Sequence, residues 1–181
     1  MSAGTDLRTL RKSRGMTLVT LAQEMNRSLG WMSQVERDIS RISDEELARL
    51  AHILAVDPSL LSPPRADEPR EEGRIVRANN RRQIGFRRNG LTEALISPDL
   101  TDSFEAIHST FQPGQQVMEP LQRATQELGF VLSGKLDLWF GEEKFVVEKG
   151  DSFRIRDEPY RWANPYAAPA EVLWIISPPV Y

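Results

Sequence analysis

Residues 17–38, TLVTLAQEMNRSLGWMSQVERD, constrain the fold most strongly because they predict two short helices joined by a tight turn. Four apolar residues of the first helix recur at i, i+3, i+4 and i+7 and so share one face: Leu18, Leu21, Ala22 and Met25. Thr17 and Ser28 are suitable N-caps for the two helices. We predict that the second helix buries Met32 and Val35, together with Ile39 just beyond its end.

The second helix also has an outward face, which carries Leu29, Gly30, Ser33, Gln34 and Arg37. A small residue, a hydroxyl, an amide and a guanidinium on an exposed helix suit the major groove of DNA, where Gln pairs with adenine and Arg grips guanine or phosphate. We therefore predict that Ser33 and Gln34 contact base edges.

Four further residues complete the predicted DNA-binding set. Arg37 and Ser28 are predicted to contact phosphate or bases, and Thr17 belongs to the same set. Trp31 is predicted to stack on the duplex or to make a methyl contact with it, or, alternatively, to pack on the domain surface.

The run of LA, then SQVERD, then ISRIS resembles the helix-turn-helix of the xenobiotic-response-element (lambda-repressor-like) regulators, whose usual form contains LSQIERG. The resemblance spans roughly residues 7–61 and implies five helices. Asp38 stands where that family prefers Gly, and Asp tolerates the left-handed conformation that is needed after a helix. Ser43 and Glu46 form an S-x-x-E capping box for a fourth helix, and Asp57-Pro58 predicts the start of a fifth.

The first helix is predicted to begin with Asp6 as its cap and to end at Gly15. Its basic residues are predicted to meet phosphates together with Arg37 and Arg41, and they are Arg8, Arg11, Lys12 and Arg14.

Composition narrows the function classes. The absence of cysteine excludes disulfides, thiolate metal sites and thiol catalysis. The net charge of -3 is unevenly distributed, with 0 for residues 1–61, +4 for 62–90 and -7 for 91–181, so the C-terminal part is not a nucleic-acid surface. Because no apolar run is long enough to span a bilayer, we expect a cytoplasmic protein without a membrane partner.

Residues 62–72, SPPRADEPREE, predict a linker because they combine three prolines and six charges without apolar periodicity. The linker separates a helix-turn-helix domain at 1–61 from a second domain at 73–181. Short β-rich segments in the second domain predict an all-β sandwich or barrel, and they are 74–78, 91–96, 104–111, 128–132, 136–140, 145–147, 152–155 and 172–176.

Residues 113–164 resemble the cupin pattern, a small jelly-roll barrel whose first motif runs G-x5-H-x-H-x3-4-E-x6-G. On this resemblance the two histidine positions fall on Pro120 and Gln122, the glutamate on Glu127, and a later histidine on Tyr160. A first-row metal ion prefers imidazole ligands, which these residues do not provide. We therefore expect no metal and no other cofactor.

A barrel without a metal can still hold a small molecule. The predicted effector-binding residues are His108, Gln122, Glu127, Arg156, Tyr160 and Trp162. The alternative is that these groups only hydrogen-bond one another to fill the barrel, with Glu127 paired to an arginine.

These features predict two domains, an all-α five-helix helix-turn-helix domain followed by an all-β cupin (jelly-roll) barrel. We expect a transcriptional regulator, not an enzyme, that binds double-stranded operator DNA and a small-molecule effector. A homodimer is expected because one reading helix gives little affinity, whereas two half-sites about 34 Å apart share the binding. The alternatives are a cupin enzyme, an isomerase or lyase or one resembling a metal-dependent oxygenase, that carries a helix-turn-helix domain, and a protein-binding module.

Overall fold

The computed structural model of the protein describes residues 3–62, 68–84 and 90–180. They divide into two compact units, a helical unit that takes in residues up to 85 together with 98–102, and a strand-rich unit that takes in 86–97 and 103–180. No helix within these described ranges combines the length and the apolar character that a membrane crossing requires.

The described part of the helical unit contains four α-helices rather than the predicted five: α1 (Ala3–Ser13), α2 (Leu18–Glu24), α3 (Leu29–Val35) and α4 (Asp44–Leu54). The predicted fifth α-helix is instead a short 3-10 helix at Pro58–Leu61. Its backbone bonds span three residues, from Leu60 N to Asp57 O and from Ser62 N to Ser59 O, because four residues are too few to continue an α-helical ladder.

The predicted caps of α2, α3 and α4 are confirmed. The Thr17 hydroxyl accepts a hydrogen bond from Thr20 N, and the Ser28 hydroxyl accepts one from Trp31 N. Ser43 begins α4 with a complete capping box in which Glu46 N donates to the Ser43 hydroxyl and Ser43 N donates to the Glu46 carboxylate. Local residue preference therefore sets where α2, α3 and α4 begin.

Asp6 was predicted to cap the first helix, and this prediction is wrong. The helix begins at Ala3, and Asp6 lies inside it with its side chain completely buried. Its Oδ2 accepts a hydrogen bond from Arg82 Nη2 at 2.7 Å, and its Oδ1 accepts one from Leu100 N at 3.0 Å. Arg82 Nη1 also donates to Leu60 O at 2.9 Å. One buried carboxylate thus joins three segments of the helical unit.

The predicted linker is only partly described, because its residues 63–67 lie outside the described ranges. The residues that follow form a short 3-10 helix at Pro69–Glu71. Glu71 is buried and pairs with Arg77. The C-terminal end of the predicted linker is therefore packed in the helical unit, while the division into functional domains at 61 and 73 stays a prediction.

Ten strands are described: β1 (Gln83–Ile84), β2 (Leu91–Leu95), β3 (Glu105–Phe111), β4 (Gln115–Leu121), β5 (Gln126–Ser133), β6 (Lys135–Phe140), β7 (Glu143–Glu148), β8 (Ser152–Arg156), β9 (Tyr160–Asn164) and β10 (Ala170–Ser177). The strand predicted at 74–78 is not formed, and β4 and β9 were not predicted. The sequence of β4, QQVMEPL, hides its strand character because polar residues and a proline interrupt the apolar alternation.

The strand-rich unit contains two antiparallel sheets. The larger one runs in the order β2-β3-β10-β5-β8, and the smaller one in the order β4-β9-β6-β7. Rings from the two sheets meet in the core, where Phe111 of β3 and Trp162 of β9 have centroids 4.7 Å apart in an edge-to-face arrangement. The predicted closed barrel is corrected to two separately hydrogen-bonded sheets, because no ladder among the described residues joins an edge of one sheet to the other.

Replacing Asp6 with Ala should lower the free energy of unfolding of the helical unit by about 3–5 kcal/mol, because Arg82 would stay buried without its counter-charge. Urea unfolding followed by the helical circular-dichroism signal measures this loss. The matched control is Glu68→Ala, which removes an exposed ion pair with Arg70 and should cost less than about 1 kcal/mol. Equal losses for the two variants would contradict the assigned role of Asp6.

Candidate functional site

The helix α3 is anchored by its inner face. Met32 and Val35 are buried as predicted, but Ile39 is 64% exposed, so its predicted burial is wrong. The helix ends at Val35, and Asp38 takes a left-handed conformation with φ of 57°. The chain therefore leaves the helical path before Ile39 reaches the buried face.

The predicted reading residues lie on the opposite side of α3. Gln34 is exposed, and its Oε1 accepts a hydrogen bond from the Ser40 hydroxyl at 2.9 Å. Arg37 is also exposed, and its Nε donates to Ser33 O at 3.1 Å, which folds the side chain back over the end of the helix. An amide and a guanidinium thus stand together beside the partly exposed Ser33.

The remaining predicted DNA-binding residues surround the start of α3. Leu29 and Gly30 are exposed, and a Cβ placed on Gly30 would find only the Ser28 hydroxyl, 4.0 Å away. Packing within the chain does not require glycine at this position. Trp31 is half-buried and has the Arg27 guanidinium 5.3 Å from its ring centroid, and Thr17 is exposed at its cap position.

Two of the arginines predicted to meet phosphates are used inside the helical unit. Arg11 is buried and forms a bidentate pair with Glu36, with N–O distances of 2.6 and 3.1 Å. Arg14 donates from Nε to Leu54 O at 2.9 Å. These bonds hold α1 against its neighbours. The prediction that Arg11 meets phosphate is corrected because Arg11 is buried, whereas Arg8, Lys12 and Arg14 are exposed.

Asp38, which stands where the family pattern has Gly, stabilises the fold through its side chain. Its Oδ1 accepts a hydrogen bond from Gly4 N at 2.9 Å, at the beginning of α1. A Cβ on Gly4 would lie 2.5 Å from Val35 O, so only glycine allows this approach. Asp38 therefore ties the end of the reading segment to α1, a pairing that the sequence pattern did not predict.

The strand-rich unit encloses a cavity of about 50 Å³ between its sheets. Glu127, Tyr160 and Trp162 were predicted to bind an effector, and all three line it. The full lining is Leu91, Glu93, Phe111, Leu121, Arg123, Glu127, Tyr160, Trp162, Trp174 and Ile176.

Three predicted effector residues do not line the cavity. Gln122 is exposed and donates from Nε2 to Asp157 O at 3.0 Å, and Arg156 is exposed on β8. His108 lies on the face of β3 opposite to the cavity-lining Phe111, and its Nε2 is 3.3 Å from a carboxylate oxygen of Glu171. These side chains face away from the space between the sheets.

The register of β4 explains why Gln122 was placed wrongly. Gln115–Val117 pair regularly with β9, but the register then shifts before Leu121 pairs with Tyr160. Because Tyr160 lines the cavity, its partner Leu121 lies on the same face of the sheet. The cavity is therefore lined by Leu121 and Arg123, one residue later than the family frame places Pro120 and Gln122. The cavity lining therefore cannot be read from motif spacing alone.

The cupin resemblance implies a metal site at this location, and the side chains do not fit one. Leu121 and Arg123 stand near the positions of the two histidine ligands, and neither side chain offers a lone pair to a metal ion. Within the described residues, no group of three His, Cys, Asp or Glu side chains is arranged to hold a metal ion. The polar groups that line this cavity are the carboxylates of Glu93 and Glu127, the Tyr160 hydroxyl and the Arg123 guanidinium.

Hydrogen bonds fix the carboxylates of the cavity. The Thr125 hydroxyl donates to Glu127 at 2.8 Å, and the Ser109 hydroxyl donates to Glu93 at 2.8 Å. Burial raises the pKa of Tyr160, and the nearby Glu127 carboxylate raises it further. Burial likewise raises the pKa of Glu93. The cavity therefore holds Tyr160 in its protonated form at neutral pH.

Glu93, Arg123 and the neighbouring Glu105 are functional candidates that the sequence reading missed. Glu105 is 1% exposed, and burial raises its pKa to about 7. The sequence did contain a sign of them. Glu93 and Glu105 stand at the alternate strand positions that face inward, where the other residues are mostly apolar. A charged residue at such a position marks a polar interior.

Two known protein families match the chain, one in its N-terminal part and one in its C-terminal part. Residues 2–63 match the family described as a helix-turn-helix domain, and residues 107–176 match the family described as a cupin domain. No curated protein sequence matches the chain.

Several solved structures resemble this chain at low sequence identity. An HTH_3 family transcriptional regulator from Vibrio cholerae is 23% identical with a TM-score of 0.47, covering 98% of this chain and 95% of that chain. Hydroxypropylphosphonic acid epoxidase from S. wedmorenis is 15% identical with a TM-score of 0.48, covering 97% and 96%. An RmlC-like cupin from Shewanella frigidimarina is 14% identical with a TM-score of 0.50, covering 59% and 91%, which agrees with a cupin fold.

The fold and the family matches define a protein in which a helix-turn-helix domain precedes a cupin domain. Residues 2–63 thus belong to a helix-turn-helix domain and residues 107–176 to a cupin domain, which confirms the two domain resemblances drawn from the sequence.

The buried Glu105 predicts a pH-dependent stability. Its pKa is about 7 in the folded protein against an ordinary value of 4.5, so between these values the folded state keeps a proton that the unfolded chain has lost. The free energy of unfolding should therefore fall as pH rises through this window, by an amount on the order of 3 kcal/mol.

Glu105→Gln should remove the part of this pH-dependent loss of unfolding free energy that comes from Glu105. Denaturant unfolding between about pH 5 and about pH 8 measures it. The control is Glu143→Gln at an exposed position of β7, which should keep the wild-type profile. If wild type and Glu105→Gln show parallel profiles, the buried carboxyl does not titrate in this range.

Proposed function

We propose that the protein is a sequence-specific DNA-binding transcriptional regulator whose cupin domain binds a small-molecule effector. The observation that carries the proposal is the two-sided character of α3. Met32 and Val35 fix the helix from inside, while Gln34 on its outer side and Arg37 just beyond its end are exposed. A polar ridge on an anchored helix is what major-groove reading requires.

Within this proposal each residue has a defined role. Gln34 reads a base edge, adenine being the base whose donor and acceptor match an amide, and Ser33 supports it. Arg37 and Ser28 contact phosphate or base, and Trp31 contributes a stacking or methyl contact. Exposed cations elsewhere on the helical unit meet the backbone, and they are Arg8, Lys12 and Arg41.

A homodimer belongs to the proposal because one short reading helix provides few contacts. Its interface is the outer face of the larger sheet, defined by Leu128, Phe130 and Leu132 of β5 with Leu173 and Ile175 of β10. The three β5 residues are 45%, 40% and 37% exposed. Phe130 pairs with Leu173, and Leu128 with Ile175, so the patch is continuous.

Charge supports pairing of this patch with a second copy of itself. Arg154 lies opposite Leu128 on β8, and Glu171 precedes Leu173 on β10, so unlike charges flank the apolar residues. A two-fold contact uses the same surface on both partners and allows such charges to meet. The two reading helices would then share one operator.

Chain connectivity supplies a route from the cavity to α1. Leu91 and Glu93 on β2 and Phe111 on β3 line the cavity. The connection between these two strands includes residues 98–102, which belong to the helical unit and place Leu100 N on Asp6. A coupling of about 1–3 kcal/mol along this route changes operator affinity by about 5- to 150-fold.

Gln34→Ala should reduce discrimination between operator and random DNA by at least about tenfold, because the amide that reads a base is lost while phosphate contacts remain. Electrophoretic mobility shifts on both DNAs at fixed salt measure the ratio. Gln116→Ala, at an exposed position of β4, is the matched control and should leave it unchanged. An equal loss on both DNAs would refute base reading by Gln34.

Phe130→Glu should convert the dimer to monomers, because a charge would be buried at the centre of the patch. Sedimentation equilibrium measures the mass, and operator affinity should fall with it. Phe145→Glu introduces the same change at a 47%-exposed phenylalanine on β7 of the smaller sheet and should leave the mass unaltered. A dimer that survives Phe130→Glu uses another surface.

A further inference from the structure

The cavity carries more negative than positive charge. Two carboxylates, Glu93 and Glu127, line it, whereas Arg123 is the single cationic residue in the lining. No carboxylate oxygen of the described chain lies within the 4.0 Å of an ion pair from the Arg123 guanidinium. The inner carboxylates therefore have no cation in contact with them.

The bonds that these carboxylates do make come from neutral groups. Ser109 and Thr125 each donate a hydroxyl hydrogen, at 2.8 Å, to Glu93 and Glu127 respectively. Glu127 is 2% exposed and has the Tyr160 hydroxyl as a further hydrogen-bonding neighbour. Hydroxyl donors orient a carboxylate, but they do not offset its charge, which is costly to bury without a cation.

The other walls of the cavity are aromatic. Phe111, Tyr160, Trp162 and Trp174 all line it, and the Phe111 and Trp162 rings meet edge to face. The negative face of an aromatic ring attracts an organic cation, most strongly where water is excluded. Aromatic walls and carboxylates without a contacting cation point to the same kind of ligand.

We propose that this cavity binds the protonated amine of a small organic cation, with Glu93 and Glu127 accepting its hydrogen bonds. The inference rests on the proposed function, in which this cavity is the effector site, and it names the chemical class of that effector. A volume of about 50 Å³ matches an ammonium head with a short carbon chain. The charge of the exposed Arg123 acts on Glu93 without an ion-pair contact, so it leaves carboxylate oxygens available to accept hydrogen bonds from the ligand.

The test uses the full-length protein and three probes of nearly equal size, ethylammonium, ethanol and acetate, at matched ionic strength. Binding is followed by isothermal titration and by tryptophan fluorescence, because Trp162 and Trp174 line the cavity. Ethylammonium should bind with saturable heat and a fluorescence change. Ethanol and acetate should bind at least about tenfold more weakly, because they lack the charge that the carboxylates require.

Two variants locate the binding. Glu127→Gln and Glu93→Gln should each weaken ethylammonium by at least about tenfold, since each removes one charge and keeps the side-chain shape. Glu143→Gln is the control, because Glu143 is exposed on β7 and does not line the cavity, so its replacement should leave affinity unchanged. Near-ultraviolet circular dichroism checks folding, and if one cavity variant fails to fold, the other carries the test.

The inference is overturned if acetate binds more tightly than ethylammonium, if none of the probes binds, or if both cavity variants retain wild-type affinity. Operator binding is measured on the same samples without any probe. If the protein binds operator DNA but not ethylammonium, this inference alone is refuted. Amine binding in a protein that ignores DNA supports the inference and sinks the proposed regulator.

Discussion

The buried Asp6 carboxylate is the interaction on which the helical unit depends most. It accepts hydrogen bonds from Arg82 and from Leu100 N, so it joins α1 to chain segments 76 and 94 residues away. Such a pair is costly to desolvate, and its attraction offsets that cost only when the geometry is well satisfied. Here Arg82 has a second acceptor in Leu60 O, and the pair therefore selects one arrangement of these segments.

Local chemistry predicted the helical unit well and its long-range ties poorly. The caps at Thr17, Ser28 and Ser43 follow from side-chain oxygens that satisfy nearby backbone N–H groups, and all are present. Asp6 has the same residue type as a cap but is used through tertiary contacts. Nothing within a few residues of Asp6 distinguishes the two uses, because its partners are distant in the chain.

The cavity shows where motif spacing stops being reliable. The family frame pointed to Glu127 and Tyr160, and both line the cavity together with Trp162, which was a further candidate near Tyr160. The frame failed at Gln122 because the pairing of β4 with β9 sets Leu121, and not its neighbours, opposite the cavity-lining Tyr160, and motif spacing does not encode that pairing. The charges at Glu93 and Arg123 were missed because they lie outside the motif positions, although their strand context was visible.

The reading surface is partly organised before any DNA is present. Gln34 Oε1 already accepts a hydrogen bond from Ser40, and Arg37 is folded onto Ser33 O. A carbonyl oxygen has two lone pairs, so Gln34 can keep the Ser40 bond while its amide meets a base. Holding one rotamer in advance reduces the side-chain entropy lost on binding. Under the proposed function, the loop after α3, including Ser40 and the left-handed Asp38, therefore supports recognition without itself having to contact a base.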